Sequence, residues 1–399
     1  MSHVHIHFLL MNAYAMGGTI RTTLNTAAAL ALRHDVEVVS VYRRRETARF
    51  DVDPSVPVRA LSDQVPPEGE AALYPYGRCT GAAEVLRKVP SFLVPPSERR
   101  YRNFSLLTDL KLATYLRGLD GGVLVSTRPG LNLAASRLAP AATVRVGQEH
   151  MYLDNHPLRL RRQIARGYRR LDAVSALTER DAEDYRRLLG DSTRVVRMPN
   201  AAPRTELRSC GDAEVVVAAG RLVRQKGFDR LVDAWVEVAR RHPQWELHIY
   251  GSGPEKDALS DQVQRLGLDG RVLLMGYTDD LLAKMAAASL YVMSSRSEGF
   301  PLVLLEAMAV GLPVVSFDCR NGPADIVRHA RDGLLVPDHD VAALASALCA
   351  LLADPVRRRR MGCAAVERAR DHDLDAICAR WEELFTELLD DKHRRRRHG

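Results

Sequence analysis

No stretch of the 399 residues approaches the ~18–20 consecutive apolar side chains that a spanning helix needs. The six cysteines, Cys79, Cys210, Cys319, Cys349, Cys363 and Cys378, are scattered without a Cys-x-x-Cys, so neither a zinc site nor a disulfide framework is indicated. No Gly-x-Gly-x-x-Gly follows an expected strand, which argues against a dinucleotide-dependent oxidoreductase. No Gly-x-Ser-x-Gly is present and no Cys/His pairing can be argued, so no covalent nucleophile stands out. The first ten residues, Met1 to Leu10, lack the basic start of a signal peptide and read as a strand. A cytoplasmic protein is the expectation.

What the chain does contain is a soluble, globular composition, 46% hydrophobic and 27% charged. Its length suits two domains better than one core. The net charge is +7, and Lys392 with Arg394 to Arg397 supplies five of those positive charges. The body is therefore near neutral, which argues against a nucleic-acid-binding surface. The tail reads two ways: as a basic anchor for an anionic membrane surface, or as a disordered, solubilising terminus.

Short β-branched runs alternate with helical patterns, the signature of α/β units on parallel sheets. The first half is expected to hold strands at 4–10, 36–42, 122–126, 143–147, 172–175 and 195–198. The second half restarts at 214–219 and continues at 245–250, 272–275, 290–293, 314–317 and 334–336. Residues 199–212, with two prolines, a glycine and no periodicity, read as a linker. The resulting division is a first domain over 1–200, a linker at 201–212, a second domain over 213–370, an amphipathic helix over 371–390 and a basic tail over 391–399. Two doubly wound, Rossmann-like domains facing across a cleft are the natural arrangement, with ligands at the strand C-terminal edges. Arg43 to Leu107 is rich in proline and arginine with few periodic elements; it is either an acceptor-recognition region or an irregular excursion.

The most informative stretch is Ser297-Glu298-Gly299-Phe300-Pro301-Leu302-Val303-Leu304-Leu305-Glu306-Ala307-Met308. Its Gly-Phe-Pro turn allows close approach to a ligand, and a helix is expected to start near Pro301. That helix N-terminus offers unpaired N–H groups suited to a phosphate. Glu306 falls among apolar neighbours, where a carboxylate is costly unless paired or hydrogen-bonded, and a polyol such as a ribose would supply the bonds. Upstream, Gly220-Arg221-Leu222-Val223-Arg224-Gln225-Lys226-Gly227 joins a strand to a helix. Arg221 brings a fork and Lys226 a point charge for phosphate oxygens, while Arg224 reads as a surface residue.

These motifs resemble the retaining glycosyltransferases of family 4, which have the GT-B fold. The glutamate spacing, the Gly-Phe-Pro insert and the run Ala307 to Val315 occur together, and the resemblance is densest over 213–337. It implies transfer of a sugar from a nucleotide diphosphate sugar, with UDP favoured, to a hydroxyl acceptor, and it requires no metal or other cofactor. Glu298 would meet donor-sugar hydroxyls, Glu306 the ribose, and Arg221 and Lys226 the diphosphate. Gly220, Gly251, Gly253, Gly299, Phe300, Pro301 and Leu302 would line the donor site. Tyr277, after the third strand of that domain, either flanks the base or is structural. Asp279-Asp280 reads as a helix N-cap pair rather than a metal site. In the first domain, Gly17 and Gly18 resemble the family's glycine loop. His150, after the strand at 143–147, is either a catalytic helper or a structural residue.

The family's retaining mechanism lets the donor phosphate accept the acceptor proton, so no paired carboxylates of the glycosidase kind are needed. Residues 316–327 resemble members acting on teichoic-acid-type and other cell-envelope glycans, with Asp325 where those commonly carry glutamate. The acceptor implied is a glycan, polymer or lipid-linked hydroxyl, approached at the inner face of the cell membrane. A small-molecule acceptor and a non-catalytic nucleotide-sugar-binding protein are the other readings. His3, His5 and His7 alternate on one strand face but have no carboxylate nearby in the sequence, so they read as incidental and no metal site is expected.

Overall fold

Thirteen strands and fourteen α-helices alternate along the described residues of the computed structural model, which are 3–66 and 80–398, with the side chains of 396–398 left out. The chain divides into two units, Met1–Pro199 with Ile377–Gly399, and Asn200–Ala376.

In the first unit the strands are β1 (His5–Leu10), β2 (Asp35–Arg43), β3 (Val58–Asp63), β4 (Val123–Ser126), β5 (Val144–Gln148), β6 (Ala173–Ala176) and β7 (Arg194–Arg197). They form one sheet in the order β3-β2-β1-β4-β5-β6-β7, and every pair is parallel. The helices are α1 (Gly18–Ala31), α2 (Ala82–Lys88), α3 (Leu106–Arg117), α4 (Pro129–Leu138), α5 (Leu158–Gly167) and α6 (Glu179–Leu189). Parallel strands covered on both faces must be apolar throughout, and β4 is buried at all four positions. Leu9, Val39, Leu112, Leu116 and Leu124 belong to one core cluster of this unit, and Ile164, Tyr168, Val174 and Tyr185 to another.

The second unit holds β8 (Val215–Ala219), β9 (Glu246–Tyr250), β10 (Val272–Gly276), β11 (Leu290–Met293), β12 (Val314–Phe317) and β13 (Gly333–Val336), in the parallel order β10-β9-β8-β11-β12-β13. Its helices are α7 (Phe228–Arg241), α8 (Lys256–Arg265), α9 (Leu281–Ala286), α10 (Leu302–Ala309), α11 (Pro323–Ile326), α12 (Val341–Leu352) and α13 (Pro355–Arg370). Trp235 on α7 is fully buried, in a core with Ile249, Val292 and Leu348. Each sheet reverses its direction of winding, the first between β1 and β4 and the second between β8 and β11. Such a switch leaves room for a ligand at the carboxyl ends of the strands.

The last helix, α14 (Leu374–His398), is longer than the amphipathic pattern suggested and runs through the basic tail. It is fastened to the first unit by buried Glu382, which accepts from Arg33 at 2.9 Å and lies 3.2 Å from His34 Nε2. Lys392 is spent in the same way, 3.1 Å from Asp172 and donating to the Ala141 carbonyl at 2.9 Å. The reading of 391–399 as a disordered terminus is therefore corrected for the described residues: a helical backbone continues there, and one cation counted toward a membrane is engaged within the protein.

The Arg43–Leu107 region is also more regular than its sequence suggested. It contains β3, an edge strand with one buried residue, whose pattern is too weak for the eye because it packs on one side only. Residues 67–79, including Cys79 and part of the proposed acceptor region, lie outside the described residues.

Candidate nucleotide-sugar site

Two loops at the carboxyl ends of β8 and β11 carry most of the residues singled out in the second unit. These strands are neighbours in the sheet, so side chains about 72 residues apart in sequence meet: Lys226 Nζ donates to Glu298 Oε1 at 2.7 Å. Glu298 is 7% exposed, and its charge is tolerated because the lysine sits on it. The Lys226 stem lies against Gly220, where an added Cβ would stand 3.2 Å from Cε.

The turn that carries Lys226 is forced by Gly227. This residue is left-handed, with φ 65°, and caps α7; a Cβ there would fall 2.1 Å from the Ser294 carbonyl oxygen. Gly251, at the end of β9, is held as closely: a Cβ would stand 1.8 Å from the Gly220 carbonyl oxygen. Its N–H donates to the Gly276 carbonyl at 2.8 Å, and Gly253 packs on the Leu222 carbonyl. Three successive strand ends, those of β8, β9 and β10, are thereby gathered into one backbone platform.

Arg221 is exposed on this platform, and Arg224 is exposed as well. Tyr277 follows Gly276 and gives its hydroxyl to Asp279 at 2.6 Å, while Asp280 caps α9 through the Ala283 N–H. Past β11, Gly299, Phe300 and Pro301 lead into α10, whose cap, Pro301, makes no side-chain hydrogen bond among the described residues. Phe300 is buried with its ring 5.9 Å from that of His372, and Gly322 packs on Pro301. Leu302 opens the helix and Glu306 lies within it, 8% exposed. Burial holds the Tyr291 phenol well above its ordinary range, and the charges of Glu306 and Glu298 push the same way. Both glutamates therefore bear on one buried hydroxyl.

Several side chains that sequence reading passed over tie the two loops together. Arg296 donates to both carboxylate oxygens of Asp229, at 2.7 and 2.5 Å, and to the Arg224 carbonyl at 2.7 Å. Gln225 Nε2 donates to the Ser297 carbonyl at 2.8 Å, and Ser294 Oγ to the Lys226 carbonyl at 3.1 Å. No local pattern marks these pairs, because each joins segments far apart in the chain.

In the first unit, the residues singled out lie at the carboxyl end of its own sheet. Gly17 caps α1 directly after the β1 turn, and both Gly17 and Gly18 are exposed. His150 follows β5, and its buried Nε2 has no hydrogen-bond partner among the described residues. Burial, with the Arg128 charge second, lowers its pKa to about 4, so it is neutral at pH 7. The preceding Glu149 is 2% exposed and accepts from Tyr168 and, at 2.9 Å, from Asn132. A buried hydrogen-bonded carboxylate thus anchors the chain one residue before His150.

The family-model match falls within the second unit, whereas similarity to individual proteins extends over most of the chain. Residues 213–354 match the family model described as Glycosyl transferases group 1. An exopolysaccharide phosphotransferase of Streptomyces coelicolor is 37% identical over 392 residues, 96% of this chain but 41% of its own length. A poly(glycerol-phosphate) alpha-glucosyltransferase of Bacillus subtilis is 25% identical over 224 residues, 55% of this chain and 33% of its own length. This chain thus spans less than half the length of these two relatives. The crystal structure of a mutant of S. aureus TarM, with fondaparinux, alpha-GlcNAc-glycerol and UDP, superposes with a TM-score of 0.73 at 16% identity, covering 96% of this chain and 99% of that one. The match to the group 1 glycosyl transferases thus covers residues 213–354, in a chain with the GT-B fold.

Proposed function

We propose that this protein is a retaining, metal-independent glycosyltransferase of the family 4 type, which moves a sugar from a UDP-sugar to a hydroxyl of a cell-envelope glycan or polymer. The Lys226–Glu298 pair carries the reading. A cation and a carboxylate, both mostly buried, meet at the strand ends where an α/β sheet takes its ligand. A UDP-sugar offers a partner to each: diphosphate oxygens to the ammonium, sugar hydroxyls to the carboxylate.

In this proposal Arg221 and Lys226 bind the diphosphate and stabilise the charge that builds as the bond from the anomeric carbon to the phosphate oxygen breaks. The acceptor oxygen bonds to that carbon on the same face, and its proton passes to the departing phosphate. Glu306 holds the ribose hydroxyls, and Gly220, Gly251 and Gly253 let the backbone approach the nucleotide. His150, neutral at pH 7, serves as a hydrogen-bonding group near the sugar rather than as a cation.

The acceptor class rests on the relatives, one named for exopolysaccharide and one for poly(glycerol phosphate). Among the described residues no helix is long and apolar enough to cross a membrane, so a lipid-linked acceptor would be met at the membrane surface. The test is donor hydrolysis by the Lys226→Ala variant. Turnover should fall roughly 10²–10³-fold, the loss typical of removing one group that stabilises transition-state charge. Unchanged turnover would remove the phosphate clamp and the reading with it.

A further inference from the structure

The alternating histidines His3, His5 and His7, the last two in β1, are not without a carboxylate, contrary to what their sequence suggests. Glu37 stands on β2 directly beside His7 in the parallel register. One donor atom each from His5, His7 and Glu37 lies within 4.8 Å of the others. His3 is not part of the group; its Nδ1 is 3.7 Å from Asp35.

We propose that His5, His7 and Glu37 form a binding site for a divalent transition-metal ion of the zinc type. Alternate residues on a strand project to one face, so His5 and His7 present two imidazoles side by side, with ring centroids 4.2 Å apart. Two imidazoles and a carboxylate are the ligand set that borderline ions prefer over magnesium or calcium.

The surroundings are those of a built site. His7 is 7% exposed, and its Nδ1 lies 2.7 Å from Glu37 Oε1 and 3.0 Å from the Tyr115 hydroxyl. Tyr115 on α3 also donates to Glu37 Oε1 at 3.2 Å, which fixes the carboxylate from outside the ligand set. Arg59 on β3 approaches Glu37 to 3.6 Å with its side chain more than half exposed, and its guanidinium lies 5.2 Å from the Tyr115 ring centroid. An entering ion takes the place of the proton shared by His7 and Glu37; that proton moves to the other ring nitrogen or to water.

Position separates this site from the sugar chemistry. His5 opens β1, whereas the Gly17 turn follows its other end, about 15–20 Å along the strand. Binding would clamp β1 to β2 and so stabilise the fold without touching the donor residues.

The test uses chelator-treated full-length protein titrated with Zn²⁺ by calorimetry, with the melting temperature as a second readout. Wild type should take up one equivalent and melt at a higher temperature with zinc. His5→Ala removes an exposed ligand and should leave the metal-free melt in place. Its zinc affinity should fall about tenfold or more. Glu37→Gln should lose the thermal gain as well. Zinc binding that is equal in wild type and His5→Ala would be adventitious surface binding and would overturn the proposal. So would the absence of any binding.

Discussion

Arg296 grips Asp229 through its two terminal guanidinium nitrogens, and so locks the loop after β11 to the first turn of α7. Glu298 lies two residues beyond Arg296, and Lys226 three before Asp229. The clamp therefore sets the geometry in which the lysine and the glutamate meet. A bidentate pair of this kind fixes orientation as well as distance.

Loss of that clamp should show in catalysis more than in stability. Arg296→Ala is expected to lower kcat/KM roughly 10–100-fold through misplacement of Lys226 and Glu298. The partly exposed pair itself contributes only about 0–1 kcal/mol to folding. Hydrogen bonding to Arg296 holds the Asp229 carboxyl below its ordinary value. Its contribution is therefore present above the ordinary aspartate range and is lost as the pH falls through the lowered value. Steady-state donor hydrolysis, with urea unfolding as the control, separates the two effects. A variant with full activity and a large loss of stability would contradict this assignment.

His150 gives a prediction of the same sign from a different cause, burial rather than a charged partner. Its pKa in the fold is about 4, below the ordinary histidine value, so the unfolded chain binds its proton first as the pH falls. Stability from this group is complete above the ordinary value and drains away as the pH drops toward 4. Relative to wild type, His150→Gln should gain stability as acid is added through that window. Melting curves at closely spaced pH values would show it; parallel curves for the two proteins would refute the buried, neutral histidine.

The strand pattern was legible because parallel strands covered on both faces cannot hide polar residues; β11 and β12 fall at the residues expected from their runs. β3 escaped because an edge strand has no such constraint. The tail escaped for another reason: Arg394 to Arg397 suggested a solvated end, whereas Lys392 finds a carboxylate, Asp172, that is remote in sequence. The candidate site divides along the same line. Glu298, Glu306 and the glycines are visible in short motifs. The Lys226–Glu298, Arg296–Asp229 and His7–Glu37 contacts depend on which strands lie side by side, and that is a property of the sheet order.

The most direct measurement is calorimetric titration of the purified protein with UDP, GDP and ADP in the presence of chelator. If Arg221 and Lys226 hold a nucleotide diphosphate unaided by metal, UDP should bind selectively and Arg221→Ala should abolish binding while the protein remains folded. Binding by none of the three nucleotides, or UDP binding that survives Arg221→Ala, would contradict the donor site placed at the ends of β8 and β11.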